Sequence, residues 1–298
     1  MGKTSMPSQV SGRQHHVPEF YLSAWAGSDG RICVVSNYGG NISRNRHPPK
    51  HTGFEYHLYS YNEKFLGDDR AEVETKFFSR LDDEGAKIVS KFVNGDTLGE
   101  KEKTLWAQFI SGFRVRTPTN IDKLKNMAAA SFAKEFAAGQ NDYAALKQAD
   151  DPATLHEWVN LHHPGYIDNI AVAQIPKIIS RSDVLQDILA MSWFTVAFKE
   201  ASNPLMTSDR PLIMTAGLQN ADCIIALPLS LRCGFFAFRP DSHAEKALKS
   251  TPISRLAKAL NDNVVRQAEK YAYCAKASDA PDVFFQRKLK PIAMNHVQ

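Results

Sequence analysis

An α+β fold is expected for this chain: an N-terminal strand element, a helical centre, and a C-terminal antiparallel sheet with a final helix. Three observations lead there. Residues 70–116 carry apolar side chains at i, i+4 and i+7 steps, the period of a helix with one buried face. From about residue 190, short β-branched and aromatic runs alternate with Pro, Gly, Asp and Asn. Near the start, a strand-like run ends in Asn37-Tyr38-Gly39-Gly40-Asn41, turn chemistry suited to a hairpin.

Taken in order, residues 1–12 are small, polar and aperiodic, and are expected to be disordered. Pro18 restricts Val17 to an extended conformation and opens a short helix reaching about Trp25. Residues 31–36 read as a strand, with 42–46 returning as its partner. Helix 70–94 places Val73, Phe77, Leu81, Ile88 and Phe92 on one stripe and stops at Asn94-Gly95. Helix 99–116 repeats the pattern with Leu105, Phe109 and Phe113 before Thr117-Pro118. Further helices are expected near 120–139, 153–161 and 166–190, the last bent at Pro176. Residues 191–198 suit a buried strand, and 204–207, 212–215, 223–228 and 233–238 suit a small antiparallel sheet. Helix 253–270 and a last strand at 271–276 close the series. The N-terminal strands are too few to be stable alone, so they are expected to pack on the C-terminal sheet. Residues 13–298 therefore read as one composite domain, divided at 13–66, 67–190 and 191–298.

At 298 residues, with 43% hydrophobic and 23% charged side chains, the chain has the composition of an ordinary globular protein. No apolar run approaches the ~20 residues of a membrane span, and Met1–Gln14 lacks an apolar segment of signal-peptide length. A cytoplasmic protein with no membrane association is the expectation. Cys33, Cys223, Cys233 and Cys274 stand far apart with no CxxC pair, so free buried thiols are expected. The first 51 residues hold the whole net charge of +4, and half of the ten histidines fall within the first 57. Such a start suits nucleic acid or another phosphate-bearing ligand, through Arg44, Arg46 and Lys50 among others. A solvated basic edge is the alternative.

Four residues stand out chemically. His15, in the stretch Gln14-His15-His16-Val17-Pro18, is suited to acid–base work or metal ligation, because its ordinary pKa lies near neutrality. Its alternative is a hydrogen bond that fixes the turn. Arg116 falls eleven residues after Leu105, three helical turns on, and so joins the buried stripe. A guanidinium there needs a partner, and Glu74 and Glu84 are the candidates. Its functional alternative is to read a phosphate or carboxylate through its planar fork. Asp209, in Thr207-Ser208-Asp209-Arg210-Pro211, suits either a turn cap or a strand-end base or ligand. His47, His51 and His57 with Cys33 match no recognised zinc spacing. The chain has no Walker-type Gly-Lys-Ser/Thr loop, no GxGxxG after a strand, no GxSxG and no HExxH, which removes common NTPases, Rossmann dehydrogenases, α/β-hydrolases and zincin proteases.

His15-His16-Val17-Pro18-Glu19-Phe20-Tyr21-Leu22 resembles the opening signature of the bacterial family called domain of unknown function 4238. That signature reads His-Tyr-Val-Pro-Gln-Phe-Tyr-Leu, so His16 and Glu19 depart from it. The resemblance continues in order through Glu55 to Ser60, Glu74 and Glu84, Phe109 to Pro118, Met206 to Pro211, Leu227 to Ser230, and Leu260-Asn261. Within Met206 to Pro211, Arg210 stands where the family has Asn. Coverage runs from about 13 to 275, and no activity comes with the family name. From the residues themselves, the first expectation is a hydrolase, nuclease-like, acting on phosphodiester bonds. His15 is acid, base or ligand in that scheme, Asp209 base or ligand, Glu74 a second carboxylate and Arg116 the anion stabiliser. A divalent metal, if used, would sit on His15 and Asp209. The second expectation is a non-catalytic binding module for nucleic acid or a partner protein.

Overall fold

The computed structural model describes residues 12–62, 65, 69–198 and 203–292. The expectation of disorder over 1–12 lies, Gly12 apart, outside them. Strand β1 (Arg13–His15) leads into the Val17-Pro18 turn, and Pro18 caps helix α1 (Glu19–Ser23). Strands β2 (Ile32–Tyr38) and β3 (Asn41–His47) form the expected hairpin, with Tyr38 opposite Asn41. The two residues between them, Gly39 and Gly40, take φ of +58° and +97°, a conformation glycine adopts without steric cost. Strand β4 (Phe54–Tyr56) pairs with β1.

A π-helical turn at Val73–Phe78 then runs into α2 (Ser79–Asn94), followed by α3 (Glu100–Val115) and α4 (Pro118–Leu146). Helix α4 is longer than the expected 120–139, because Pro118 opens it and it continues through Gly139 to Leu146. Helix α5 (Leu155–His162) starts at a capping box made by Thr154 and Glu157. The expected bent helix 166–190 is three helices: α6 (Tyr166–Ala173), α7 (Ile175–Ile179) and α8 (Ser182–Leu189). Pro176 sits in the first turn of α7, where its missing N–H costs nothing, so the chain breaks rather than bends.

Strands β5 (Ser192–Ala197), β6 (Thr207–Ser208), β7 (Ile213–Met214), β8 (Ile224–Ser230) and β9 (Cys233–Phe238) follow. Helices α9 (His243–Ser250) and α10 (Ile253–Arg266), strand β10 (Ala272–Cys274) and helix α11 (Asp282–Lys288) complete the described chain. One antiparallel sheet has the order β5-β9-β8-β7. The other, β3-β2-β10-β6, joins the N-terminal hairpin to C-terminal strands by hydrogen bonds rather than by packing. Strand β6 therefore leaves the sheet expected for it. Its Thr207 pairs with Tyr273, and the ladder continues as Asp209 N–H donates to the Tyr271 carbonyl at 3.0 Å. Among the described residues no helix is long and apolar enough to cross a membrane, and all four cysteines are free and buried.

Two compact units interleave along the sequence. One comprises the described residues within 1–14, 55–79 and 118–176, the other those within 15–54, 80–117 and 177–298. The helical centre is thus shared out between them. In the first unit the buried Gln14 donates to Ser60 at 2.9 Å, and Tyr59 packs on Phe78 with ring centroids 4.5 Å apart. In the second, Leu256, Leu260 and Val264 of α10 share one buried cluster with Cys33 and Val35 of β2 and Phe236 and Phe238 of β9.

The second unit is tied by Tyr21. Its hydroxyl donates to the Pro228 carbonyl of β8 at 2.6 Å and lies 2.9 Å from Thr207 Oγ1 of β6. Next to it, Trp25 Nε1 donates to the Leu205 carbonyl at 2.8 Å. Burial holds the Tyr21 phenol protonated, well above the ordinary range. Removing the hydroxyl leaves a buried carbonyl and a buried Thr hydroxyl short of a partner. Tyr21→Phe is expected to cost about 2 kcal/mol, measured by urea unfolding. A loss within error of zero would show that water takes the place of the phenol.

Candidate functional site

Helix α3 delivers Arg116 as expected. Phe109, Phe113 and Arg116 are all buried, Arg116 at 0% exposure, and its guanidinium lies over the Phe113 and Phe109 rings at 5.2 and 5.7 Å. The carboxylate that the structure gives it in this unit is Asp82 of α2, gripped by Nη1 at 3.2 Å and Nη2 at 2.8 Å. Glu84, one of the two expected partners, instead faces outward and pairs with Lys87 at 2.8 Å. Two residues along a helix turn the side chain through roughly 200°, enough to move it off the buried face. Glu74, the other candidate, belongs to the first unit. Close approach of α2 and α3 depends on Gly85, where a Cβ would come within 2.6 Å of the Phe109 ring.

Asp209 is buried, and its carboxylate accepts three backbone amides: Glu269 N–H at 2.8 Å, Lys270 N–H at 2.6 Å and Tyr271 N–H at 2.9 Å. This is the turn-capping chemistry that Ser and Asp before a proline allow, applied to a turn 60 residues away. The same segment is held by Asn261, which donates to the Pro204 carbonyl at 3.0 Å and accepts from Met206 N–H at 2.8 Å. Burial pushes the Asp209 carboxyl up to about 6, against the opposing pull of the three amides.

His15 is half-buried, with its ring edge-on to Phe54 at 5.6 Å. The neighbouring His16 is the more deeply buried of the two, at 6% exposure, and its Nδ1 has no hydrogen-bond partner among the described residues. Burial, then the positive charges of His15, Lys270 and Arg116, push the His16 imidazole down to about 3. His16 is thus the histidine that sequence reasoning passed over. The signal for it was the extended backbone before Pro18, which sends adjacent side chains to opposite faces so that one of the pair must point inward. Lys270 had no sequence signal at all; it enters through the turn that Asp209 holds.

Among the described residues no three His, Cys, Asp or Glu side chains are grouped to hold a metal ion. With both Asp209 oxygens taken by amides, the pair His15 and Asp209 does not suit a divalent metal, and no step is derived through one. The basic N-terminal stretch is also largely engaged. Arg44 pairs with Asp282, donates to the Ala280 carbonyl and covers the Phe285 ring. Arg46 grips Asp29 at 2.7 and 3.1 Å and donates to the Ala275 carbonyl.

The family model described as "Protein of unknown function (DUF4238)" matches residues 13–278. No curated protein and no solved structure matches the chain.

Two outcomes follow for stability. Arg116→Ala leaves Asp82, about a fifth exposed, without its bidentate partner and is expected to cost about 3 kcal/mol in urea unfolding. An unchanged midpoint would remove the pair from the core. The second outcome is a pair of opposed pH slopes. Asp209 has a folded pKa of about 6 against an ordinary 3.8, so between them the folded state holds a proton that the unfolded chain has released. Stability from this group falls as pH rises. His16 has a folded pKa of about 3 against an ordinary 6.5, so there the unfolded chain holds the extra proton and stability rises with pH. From about pH 4 to 6 the two cancel. Relative to the parent chain, His16→Gln is expected to lose about 1.4 kcal/mol per pH unit across that window, and Asp209→Ala to gain as much per unit from a lower starting stability. Parallel pH profiles for all three proteins would contradict it.

Proposed function

The chain belongs to the DUF4238 family of proteins of unknown function, and from the chemistry of its opening motif we propose that it binds a phosphate-bearing ligand at the turn carrying His15 and His16. The observation that carries this is the charge set acting on His16. Among the described residues, the charges of His15, Lys270 and Arg116 act on this buried, neutral imidazole and oppose its protonation. A phosphate at this point reverses that repulsion, and a neutral imidazole N–H is able to donate to it.

Hydrolysis of a phosphodiester is the reaction that such a site suits. His15, half-buried in the same turn, is the acid or base, and Lys270 with Arg116 stabilises the negative charge that builds up. Arg116 acts as a fixed source of field, since its fork is occupied by Asp82. Asp209 acts as a positioning residue: it holds the Lys270 backbone amide rather than moving a proton itself. Glu74, expected as a second carboxylate, lies in the other compact unit and is given no role. A binding module without catalysis is the second reading, favoured by the low basicity of His16 and the occupied Arg116 fork.

Titration calorimetry with phenyl phosphate and turnover of bis(p-nitrophenyl) phosphate separate the two. Lys270→Ala is expected to weaken phenyl phosphate binding at least tenfold. His15→Ala is expected to abolish turnover while binding persists. Binding by the parent chain without turnover selects the binding module, and no binding of phenyl phosphate overturns the site altogether.

A further inference from the structure

Helices α10 and α11 enclose an open, strongly basic groove that no part of the scheme above uses. Arg255, Lys258, Asp262 and Arg266 follow one another along α10 at steps of three, four and four residues, and therefore share one face. Across from them α11 presents Phe284, Arg287 and Lys288. Two adjoining cavities, of about 400 and 440 Å³, run along this face and share Lys258, Asp262 and Phe284 in their walls. Five cations thus line the groove against two carboxylates, Asp262 and Asp279. Asp262 ties the two helices together, 2.7 Å from Lys258 and 3.4 Å from Lys288. Among the described residues no carboxylate pairs with Arg255, Arg266 or Arg287, and all three are exposed. Phe284 is half-buried between them, against the core cluster.

We propose that this groove binds a short stretch of single-stranded nucleic acid, with Arg255, Arg266 and Arg287 on phosphates and Phe284 stacked on a base. From Arg255 to Arg266 the α10 face runs about 16 Å, room for a few phosphates rather than one. Unpaired guanidiniums on exposed helix faces repel one another, and a phosphodiester backbone relieves that repulsion. An aromatic side chain set among such cations is the recurring platform for a sequence-tolerant single strand. The proposal is independent of the His15–His16 turn and stands or falls on different residues.

The experiment is fluorescence anisotropy of a labelled oligothymidylate twelve-mer with the full chain over a salt series. Binding is expected at low salt, weakening with a log–log slope of about −2, since each phosphate contact on a single strand contributes about −0.7. The double variant Arg266→Ala, Arg287→Ala is expected to bind at least tenfold more weakly and to flatten the slope by about 1.4. Phe284→Leu is expected to weaken binding several-fold with the slope unchanged. Lys270→Ala, at the other site, leaves this binding as it was. Circular dichroism checks that each variant is folded. No binding at low salt, or binding indifferent to the arginine pair, overturns the proposal. Competition by a mononucleotide as strong as that by the oligomer also overturns it, and assigns the groove to a free nucleotide.

Discussion

The Tyr21 hydroxyl is the constraint on which the second unit depends. It brings together three segments that are distant in sequence: the opening motif, strand β6 and strand β8. A phenol buried this deeply is tolerated only with its donor and its acceptor capacity both met, so the position of each segment is dictated by the other two. Thr207 is two residues from Asp209, and the β6 ladder continues through Asp209 N–H, so fixing one fixes the other. Asp209 in turn holds the amides of residues 269–271, and that turn carries Lys270. A chain of hydrogen bonds therefore runs from the N-terminal motif to the turn that carries Lys270, buried at Tyr21, Thr207 and Asp209 and part-buried at the last step.

Charge in this region is arranged by desolvation more than by pairing. Arg116 is the one fully buried guanidinium among the large buried side chains, and it is tolerable because Asp82 meets it in bidentate geometry and two phenylalanine rings cover its faces. Among the described residues His16 Nδ1 has no partner, and burial keeps the imidazole neutral. Asp209 receives three amides, yet burial still favours its proton. Ionising either of the last two is opposed by the same loss of water, with opposite consequences for the pH dependence of folding.

Much of this was legible in the sequence, and for identifiable reasons. The α3 stripe placed Arg116 in the core because helical period is a strong signal over sixteen residues. The β2–β3 hairpin was marked by Gly39-Gly40, which only a tight turn explains. What was not legible depended on contacts between distant segments. Strand β6 is two residues long and is defined only by pairing with β10, some 65 positions later. Asp82 and Glu84 are both carboxylates of α2, and their positions around the helix select between them once α2 packs on α3. Helix α9 had a local signal that went unread: Ser242 with Glu245 three residues on, a capping pattern, and the Ser242 hydroxyl does accept from Glu245 N–H at 3.1 Å. For the site, His15 drew attention through its motif, whereas His16 is distinguished only by the direction its side chain takes after an extended backbone.

A net-charge window shows a second basic stretch towards the C-terminal end of the chain. The first 51 residues carry an excess of four, and so do residues 253–290, where eight cations stand against four carboxylates. Residues 52–252 carry a net charge of −4 and cancel the second excess, so it does not show when the chain is divided after residue 51. Only the fold shows which cations are spent. Arg44 and Arg46 serve as struts: each bonds a carboxylate and a backbone carbonyl, Arg44 joining β3 to α11 and Arg46 joining it to the end of β10. Part of the cost of that joint is met by Asp282, an acid of the same C-terminal stretch, and α11 is thereby left with Arg287 and Lys288 as its remaining charged side chains. Arg44 thus neutralises the acid at the start of α11, while the cations of the groove are those of residues 255–288 themselves.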